Sequence, residues 1–260
     1  MSLKTSIRAL LAKAGYRIEA VRPPAAYPYL DVLDLVVGRQ IAAGHRPFVV
    51  QIGANDGTTL DPLHRLLETH GLPGLMVEPQ PAAFAKLQAN RGHLPGLRFE
   101  QALIGPEDGS ATLYVLRAGV DLPEWLGQAA SMDRNQLFCV LDAHLRSEGR
   151  PHHPSELLAM IEPVQLPALT MRSLLDRHHV ERVDLLVLDT MGYDHALLRS
   201  FPFERTRPGV IQFEHRLLTR EQHADCISLL TEQGYGLCQV DMDTVAVLGA
   251  PRRHGHLALS

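Results

Sequence analysis

The sequence contains little cysteine. Its 260 residues include three cysteines, Cys139, Cys226 and Cys238, which lie far apart and form no Cys-x-x-Cys pair. An odd number of isolated cysteines favours neither a disulfide framework nor a thiolate zinc site. The 14 histidines include no His-Glu-x-x-His motif, so a histidine zinc site is not expected either. We therefore expect a protein of the reducing cytoplasm.

The sequence also has no excess of positive charge. Its 25 Lys and Arg residues are outnumbered by 29 Asp and Glu residues, which gives a formal charge of −4, and the basic residues are scattered. A nucleic-acid surface requires a continuous positive stripe. Nucleic acid is therefore not an expected partner.

Long apolar runs are missing as well. The segment from Leu3 to Lys13 places its apolar residues on one helical face, but it has neither an unbroken apolar core nor a cleavage site. We expect an amphipathic surface helix there, and no signal peptide or transmembrane segment. A membrane surface or a partner remains the alternative for this helix.

Short apolar runs alternate with helical patterns along the rest of the chain. This alternation predicts an α/β fold with a parallel sheet covered by helices. Helices are expected at 62–70 and 81–91, each with proline near its start and glycine after its end. Thr219 and Gln222 have capping-box spacing before another helix, and an antiparallel strand pair is expected around residues 241–243. The predicted core strands are 47–53, 74–79, 97–105, 183–190 and 209–215.

The pattern predicts an organisation around one main domain. Residues 1–46 form an N-terminal helical extension, residues 47–250 the main domain, and residues 251–260 a tail. Residues 119–166 interrupt the alternation and contain the single tryptophan, Trp125. We predict a lid or substrate-binding insertion with helices at 135–145 and 154–161, or else an extra helical layer. Its polar and aromatic residues would suit a polar, ring-containing or anionic acceptor, although scattered surface charge would look the same: Trp125, Arg134, His144, Arg146 and Arg150.

A glycine-containing loop follows the first predicted strand, in "VVQIGANDG". Gly53 and Gly57 allow close backbone approach, and Asn55 and Asp56 accept unusual backbone angles. Backbone N–H groups and a following helix would converge on an anion there, although a tight strand-to-helix turn would use the same residues. Glu78 ends the next strand, where a carboxylate can accept ribose hydroxyl hydrogens.

The loop lacks the features of two other nucleotide sites. It has no inner glycine of the G-x-G-x-x-G dinucleotide fingerprint, and the chain contains no GxxxxGK[ST] phosphate loop. S-adenosylmethionine remains as the candidate ligand, and we expect its carboxylate to lie at the loop and its ribose at Glu78.

From residue 48 to residue 248 the sequence resembles the FkbM-type S-adenosylmethionine-dependent methyltransferases. The resemblance is carried, in order, by "VVQIGANDG", "VEPQPAAFAKLQAN", "FEQALIG" with "GSATLYV", "AASMDRNQ" and "LPALTMRSLLDRHHVERVDLLVLDTMGYDHALLRS". It implies a seven-stranded, Rossmann-like class I methyltransferase sheet with helices on both faces. In addition to this sheet, we expect N-terminal helices and a helical lid insertion. It also implies methyl transfer to oxygen, usually a hydroxyl of a sugar, glycan or secondary metabolite.

The resemblance also implies which residues hold the cofactor. The loop would contact the methionine end, Glu78 the ribose, and Gln101 with Ala102 the neighbourhood of the adenine. Asp189, at the end of the fourth strand, would lie close to the same cofactor. The loop residues are Gly53, Ala54, Asn55, Asp56 and Gly57.

The chain departs from the family after its fourth strand. The family pattern Asp-Val-Glu-Gly-x-Glu is replaced by "DTMGYD", residues 189–194, so that Met191 stands where a carboxylate is usual. Asp189, Asp194 and Glu214 offer oxygen ligands of the kind that Mg²⁺ or Ca²⁺ prefers. With one carboxylate missing, we do not favour a divalent cation.

Methyl transfer to an alcohol requires a base that removes the hydroxyl proton. The candidates are Asp189, Glu214 and His215, with His195 as a fourth, because the ends of neighbouring parallel strands lie close together. Each has a structural alternative: Asp189 as a helix cap, Glu214 and His215 as partners of a backbone group or cation, and His195 as a solvent-facing residue.

Two other functions remain open from the sequence. A non-catalytic binding or scaffold protein could keep the methyltransferase fold with an altered "DTMGYD" segment. A nucleotide-dependent oxidoreductase could share the sheet and Glu78, but the glycine pattern argues against it. For an enzyme, the expected partner is a small-molecule or glycan acceptor, and self-association through the N-terminal helices or the lid is an additional expectation.

Overall fold

A computed structural model describes residues 31–117, 119–123, 126 and 129–249. The helix predicted near the N-terminus, Trp125 and the predicted tail lie outside these residues. The chain divides into two compact units, Met1–Asp31 and Val32–Ser260, and the description concerns the second unit.

Two sheets contain the described strands. The strands in chain order are β1 (Val49–Ile52), β2 (Gly74–Val77), β3 (Leu97–Glu100), β4 (Leu103–Ile104), β5 (Gly109–Leu116), β6 (Ala130–Ser131), β7 (Ile161–Leu169), β8 (Leu185–Leu188), β9 (Val210–Glu214), β10 (Tyr235–Val240) and β11 (Asp243–Leu248). The larger sheet has seven strands in the order β10-β11-β9-β8-β1-β2-β3, and β11 is antiparallel to both of its neighbours. The predicted seven-stranded sheet and the terminal antiparallel pair are therefore confirmed.

Helices cover both faces of this sheet, as predicted. The described helices are α1 (Val32–Ala42), α2 (His64–His70), α3 (Pro81–Arg91), α4 (Arg134–Ser147), α5 (Pro154–Met160), α6 (Met171–Arg177), α7 (Asp194–Ser200) and α8 (Arg220–Glu232). Two of them, α4 and α5, pack with Leu116 of β5 and Ile161 of β7 instead. Side chains of α1, α2 and α3 pack with Val49 and Val187 on one face. Side chains of α6, α7 and α8 pack with Val50 and Ile52 on the other. The capping box predicted at Thr219 and Gln222 begins α8.

The central strands explain the position of the site. All four residues of β1, β2 and β8 are buried, as expected for parallel strands covered on both faces. Chain order reverses at β1, which pairs with β2 on one side and with β8 on the other. In open α/β sheets, ligands bind beyond the carboxyl ends of the strands at such a reversal.

A second, four-stranded sheet in the order β4-β7-β5-β6 was not predicted. It corrects two expectations. The strand expected at 97–105 is divided, because Leu103 and Ile104 pair with β7 rather than continuing along β2. The insertion expected at 119–166 is not wholly helical, since its last residues belong to β7. Eight residues of β7 pair with the eight residues of β5. The helices expected at 135–145 and 154–161 are present as α4 and α5.

Candidate active site

The loop after β1 lies directly against the neighbouring strand ends. Gly53 has φ +83°, and a Cβ added to it would lie 1.9 Å from the backbone oxygen of Asp189. The N–H groups of Gly53 and Ala54 each donate to the carbonyl of Val77, at 3.0 Å. Gly53, Ala54 and Asn55 line a cavity of about 800 Å³. This volume is within the range of ligand pockets.

The predicted anion cradle of loop N–H groups is wrong. The N–H groups of Gly53 and Ala54 already donate to Val77, and that of Asn55 donates to a Glu78 carboxylate oxygen at 2.9 Å. Helix α2 begins only at His64, so its N-terminus does not follow the glycine loop directly. The loop therefore offers close approach and side chains to a ligand rather than a nest of donors.

Asp56 and Gly57 do not line the cavity, contrary to the prediction. Asp56 accepts hydrogen bonds from the backbone N–H groups and the hydroxyls of Thr58 and Thr59. Burial alone would raise its pKa, but these hydrogen bonds lower it to about 2. A Cβ at Gly57 would lie 2.7 Å from Leu87, and the Gly57 carbonyl accepts from the buried Arg91 at 2.8 Å. Both residues fix the shape of the loop from behind.

Glu78 lies where the sequence placed it, at the end of β2 and on the cavity wall. It is 4% exposed, and its two carboxylate oxygens accept from the N–H groups of Asn55 and Gln80, each at 2.9 Å. Burial raises its pKa to about 7. Each oxygen keeps a lone pair, so the carboxylate can accept hydroxyl hydrogens from a ligand while remaining fixed in place.

One of the two residues predicted to lie near the adenine is on the cavity wall. Ala102 and the following residue, Leu103, line the cavity, and Ala102 is 1% exposed. Gln101 is not among the residues that line the cavity, and its place near the adenine stays a prediction. Ala102 and Leu103 give this end of the cavity an apolar wall of the kind that an aromatic base contacts.

Asp189 lies at the end of β8 and lines the cavity. Its carboxylate makes no hydrogen bond to the described part of the chain, and Asp189 is exposed at the open edge of the sheet. The surrounding protein desolvates it and raises its pKa to about 8, and the carboxylates of Asp194, Glu214, Asp243 and Asp61 contribute in the same direction. Asp189 is therefore available to a ligand.

Asp194 has a structural position instead. It is fully buried, and its carboxylate accepts from the Thr190 hydroxyl at 2.8 Å and from the N–H of Glu214 at 3.3 Å. It thereby connects the ends of β8 and β9 and does not line the cavity. Within the described residues, no group of three or more His, Cys, Asp or Glu side chains is arranged to hold a metal ion.

Of the next two base candidates, Glu214 and His215, one lies on the cavity and the other does not. Glu214 lines the cavity, and its pKa is raised to about 7 by burial and by the nearby Asp194 and Asp243. His215 is not on the cavity: its ring stacks on His223 with centroids 4.7 Å apart, and its Nδ1 lies 3.1 Å from the Thr244 hydroxyl. His215 is therefore corrected from a base to a packing residue.

His195 is also directed elsewhere. Its Nε2 lies 2.8 Å from a carboxylate oxygen of Asp225, which belongs to the neighbouring helix α8. His195 therefore joins α7 to α8 through its contact with Asp225. This position matches neither the predicted catalytic role nor a residue that only faces solvent.

The insertion contributes one wall of the cavity through α4 and β6. Of the residues named from its sequence, His144 lines the cavity. The three arginines are directed to other groups: Arg134 to the Leu158 carbonyl, Arg146 to Asp142, and Arg150 to the Asp121 carbonyl. The lining residues of α4 are Gln136, Cys139, Val140, Ala143, His144 and Ser147.

Several cavity residues were not predicted from the sequence. Gln51 and Gln212 each interrupt an otherwise apolar buried strand, and that interruption is the signal that could have identified them. Leu60 is a further such residue. Leu60 and Met191, of which the sequence singled out only Met191, line the cavity with positive φ values of 56° and 54°. Non-glycine residues with positive φ have a strained backbone, and such residues are common at functional sites. The sequence does not show which residues adopt this conformation.

Asp189→Asn is expected to change the pH dependence of stability. Because the pKa of Asp189 is raised from 3.8 to about 8 in the folded protein, the folded state holds a proton that the unfolded state has lost. Its contribution to stability is complete below the unfolded pKa and disappears as pH rises through the folded pKa. Thermal unfolding at about pH 4 and about pH 8 should show the variant gaining relative to wild type at the higher pH. Parallel pH profiles for the two proteins would contradict this.

The strand order, the close glycine turn after β1 and the carboxylate at the end of β2 define an open α/β protein that binds its ligand beyond the carboxyl ends of the central strands. The particular family follows from the sequence: residues 51–237 match the methyltransferase FkbM domain, and the chain belongs to this family.

Other comparisons find more distant similarity. No curated protein matches the chain. It is similar to a Methanococcus jannaschii fibrillarin pre-rRNA processing protein, with 12% identity, a TM-score of 0.40, and coverage of 78% of this chain and 66% of that one. It is also similar to an RNA methyltransferase from Salinibacter ruber in complex with S-adenosyl-L-homocysteine, with 13% identity, a TM-score of 0.37, and coverage of 87% and 97%. A precorrin-6y C5,15-methyltransferase from Geobacter metallireducens GS-15 gives 10% identity, a TM-score of 0.39, and coverage of 86% and 91%.

Proposed function

We propose that the protein transfers the methyl group of S-adenosylmethionine to a hydroxyl oxygen of a small-molecule or glycan acceptor. One observation carries the proposal. Three carboxylates line the same cavity. That of Glu78 is fixed by two backbone N–H groups, whereas those of Asp189 and Glu214 make no hydrogen bond to the described part of the chain. The Glu78 carboxylate can accept hydrogen bonds from ribose hydroxyls, and the carboxylates of Asp189 and Glu214 can accept a proton from the acceptor.

The residues present fit the cofactor. Glu78 would hold the ribose hydroxyls, and Ala102 with Leu103 would contact the adenine. Gly53 and Asn55 would lie against the methionine portion, which would extend towards Asp189. When bound, S-adenosylmethionine supplies an electrophilic methyl group on a positively charged sulfur.

Asp189 is the base in this proposal, and Glu214 assists it. The Asp189 carboxylate would take the hydroxyl proton of the acceptor, whose oxygen would receive the methyl group that bound S-adenosylmethionine would supply, with S-adenosylhomocysteine as the leaving group. A pKa near the working pH suits general-base catalysis, and the raised pKa of Asp189 places it in that range. A positive charge beside Asp189 lowers this pKa and favours the carboxylate that the reaction requires.

The surroundings of the site carry further proposals. Residues 119–166 act as a lid over the acceptor, supported by the wall that α4 contributes.

The cytoplasm is the proposed location, supported by the free thiols of the exposed Cys139 and Cys238. No helix among the described residues has the length and apolar character needed to cross a membrane. Self-association through the N-terminal segment or the insertion stays a prediction.

Glu78→Gln is expected to weaken binding of S-adenosylhomocysteine at least about tenfold, because hydrogen bonds to charged groups contribute roughly 1.5–3 kcal/mol. The amide can accept from only one of the Asn55 and Gln80 N–H groups and presents its own NH₂ group to the other. Isothermal titration calorimetry measures the effect.

Glu100→Gln is the matched control. Glu100 ends the neighbouring strand β3, outside the cavity, where it accepts from Arg177 and His178. It should reduce stability without changing the affinity for S-adenosylhomocysteine. Equal affinity in wild type and Glu78→Gln would contradict the ribose assignment, whereas binding without methyl transfer to any hydroxyl acceptor would favour a non-catalytic protein.

A further inference from the structure

A turn after β9 brings a positive charge to the wall of the cavity. Arg216 and Leu217 both line the cavity, and the N–H of Leu218 donates to the carbonyl of His215 at 3.1 Å, which closes the turn. Arg216 is the arginine among the cavity residues of the described chain, and no lysine of that part of the chain lines the cavity. The proposed function gives neither Arg216 nor Leu217 a role.

Contacts from two sides hold this turn in place. The N–H groups of His215 and Arg216 donate to the carbonyl of Met242, at 2.9 and 3.3 Å, and Met242 lies between β10 and β11. From the insertion, Gln136 Nε2 of α4 donates to the Leu217 carbonyl at 3.3 Å. The backbone of the turn is therefore fixed both to the sheet and to the insertion.

The Arg216 guanidinium has no carboxylate partner among the described residues. Its Nη1 donates to the Met242 sulfur at 2.9 Å, and a thioether is only a weak acceptor. Arg91 and Arg146, by contrast, form ion pairs with carboxylates. A guanidinium has five N–H donors in a fixed fork, and Arg216 is exposed. Most of its donors are therefore available to a ligand.

Arg216 lies on the far side of Asp189 from Glu78. The strand order is β9-β8-β1-β2, and Glu214, Asp189 and Glu78 follow residues that pair side by side in these strands. Since neighbouring strands are about 4.8 Å apart, Glu78 and Glu214 are separated by roughly 14 Å across the sheet. A cofactor that extends from Glu78 to Asp189 leaves the part of the cavity beside Arg216 to the acceptor.

The distribution of charge favours an anion at the turn. Over the ends of β8 and β9 the cavity wall carries the carboxylates of Asp189 and Glu214, which repel an anion, whereas Arg216 attracts one. Carboxylate and phosphate groups also match the guanidinium in shape, because each can accept two parallel N–H···O hydrogen bonds from it.

We propose that Arg216 binds an anionic group of the methyl acceptor, a carboxylate or a phosphate, and so directs a hydroxyl of the same molecule towards Asp189. The inference rests on the proposed function, because it names a chemical class for the acceptor of that reaction. A uronic acid, a sugar phosphate and a hydroxy acid each carry both groups. Arg216 then selects the acceptor and has no part in binding the cofactor.

Matched pairs of probes test the requirement for charge. Glucuronate is compared with its neutral amide, glucuronamide, and glucose 6-phosphate with glucose, on protein saturated with S-adenosylhomocysteine. The dependence of the melting temperature on probe concentration gives each affinity. In wild type, the charged member of one pair should bind at least about tenfold more tightly than its neutral partner, and that pair identifies the anion as carboxylate or phosphate. In Arg216→Gln the two members should bind alike.

Two further variants separate the guanidinium from its charge. Arg216→Lys keeps the positive charge but loses the planar fork, so it should retain only part of the preference for the charged probe. Arg220→Gln removes the same charge from the exposed first residue of α8, which does not line the cavity, and it should behave as wild type.

The cofactor also has a carboxylate, so calorimetry compares the affinity for S-adenosylhomocysteine in wild type and Arg216→Gln. We expect no change. A loss of about tenfold or more would assign the anion at Arg216 to the cofactor and overturn the proposal.

Equal binding of charged and neutral probes in wild type, or a preference that Arg216→Gln retains, would also overturn it. Burial raises the pKa of Glu214 and the charge of Arg216 lowers it, and an arginine with that role alone would not distinguish the two members of a pair. Failure of wild type to bind S-adenosylhomocysteine at all would instead contradict the proposed function.

Discussion

Replacing Gly53 with alanine is expected to weaken the binding of S-adenosylhomocysteine at least about a hundredfold, or roughly 2.7 kcal/mol. The added Cβ would lie 1.9 Å from the backbone oxygen of Asp189 and 2.8 Å from its carbonyl carbon. Both are backbone atoms at the end of β8, so no side chain can rotate away to make room. The loop and the end of β8 must separate, which moves two walls of the cavity. Calorimetry measures the affinity.

Gly44→Ala provides a closely matched control. Gly44 has φ +86°, almost the same as the +83° of Gly53, but a Cβ there would meet no atom within 4 Å. It carries the backbone strain without the collision, so it should cost about 1 kcal/mol of stability and leave the affinity for S-adenosylhomocysteine unchanged. If Gly53→Ala bound this ligand as wild type does, the loop would not belong to the cofactor site.

Asp189→Asn is expected to lower the rate of methyl transfer by about 10²–10⁴, the usual contribution of a general base. The amide has nearly the same size, so the cavity keeps its shape, but it cannot accept the hydroxyl proton. The measurement is transfer of labelled methyl from S-adenosylmethionine to a panel of hydroxyl-bearing acceptors, followed by single-turnover kinetics on those that wild type methylates.

Asp225→Asn is the control for this experiment. It removes the partner of His195 on α8, away from the cavity, and should leave the rate within a factor of about two. A rate for Asp189→Asn equal to that of wild type would contradict the assignment of the base. A fall in Glu214→Gln but not in Asp189→Asn would move that role to Glu214.

The features that followed from the sequence are those that local pattern determines. The apolar runs predicted the central strands, and the position of Glu78 and Asp189 at strand ends placed both on the cavity, because parallel strands end on the same edge of the sheet. The choice between Glu214 and His215 could also have been made from pattern alone. Neighbouring residues of a strand point to opposite faces, so only one of them could share a face with Asp189.

Other features depend on contacts between distant residues. The loop N–H groups looked free in the sequence, but Val77 and Glu78 accept from them. Similarly, Gln51 pairs with Asp61 across a loop whose path the sequence does not specify. The second sheet joins β5 to β7 across the whole insertion. Such pairings follow from the tertiary fold and have no local signature.

A crystal structure of the protein with S-adenosylhomocysteine tests the central claim most directly. We predict the ribose hydroxyls at about 2.7 Å from the Glu78 carboxylate oxygens, the adenine beside Ala102 and Leu103, and the sulfur facing Asp189. A complex in which the ligand lies outside this cavity, or in which Glu78 contacts no part of the ribose, would contradict the account.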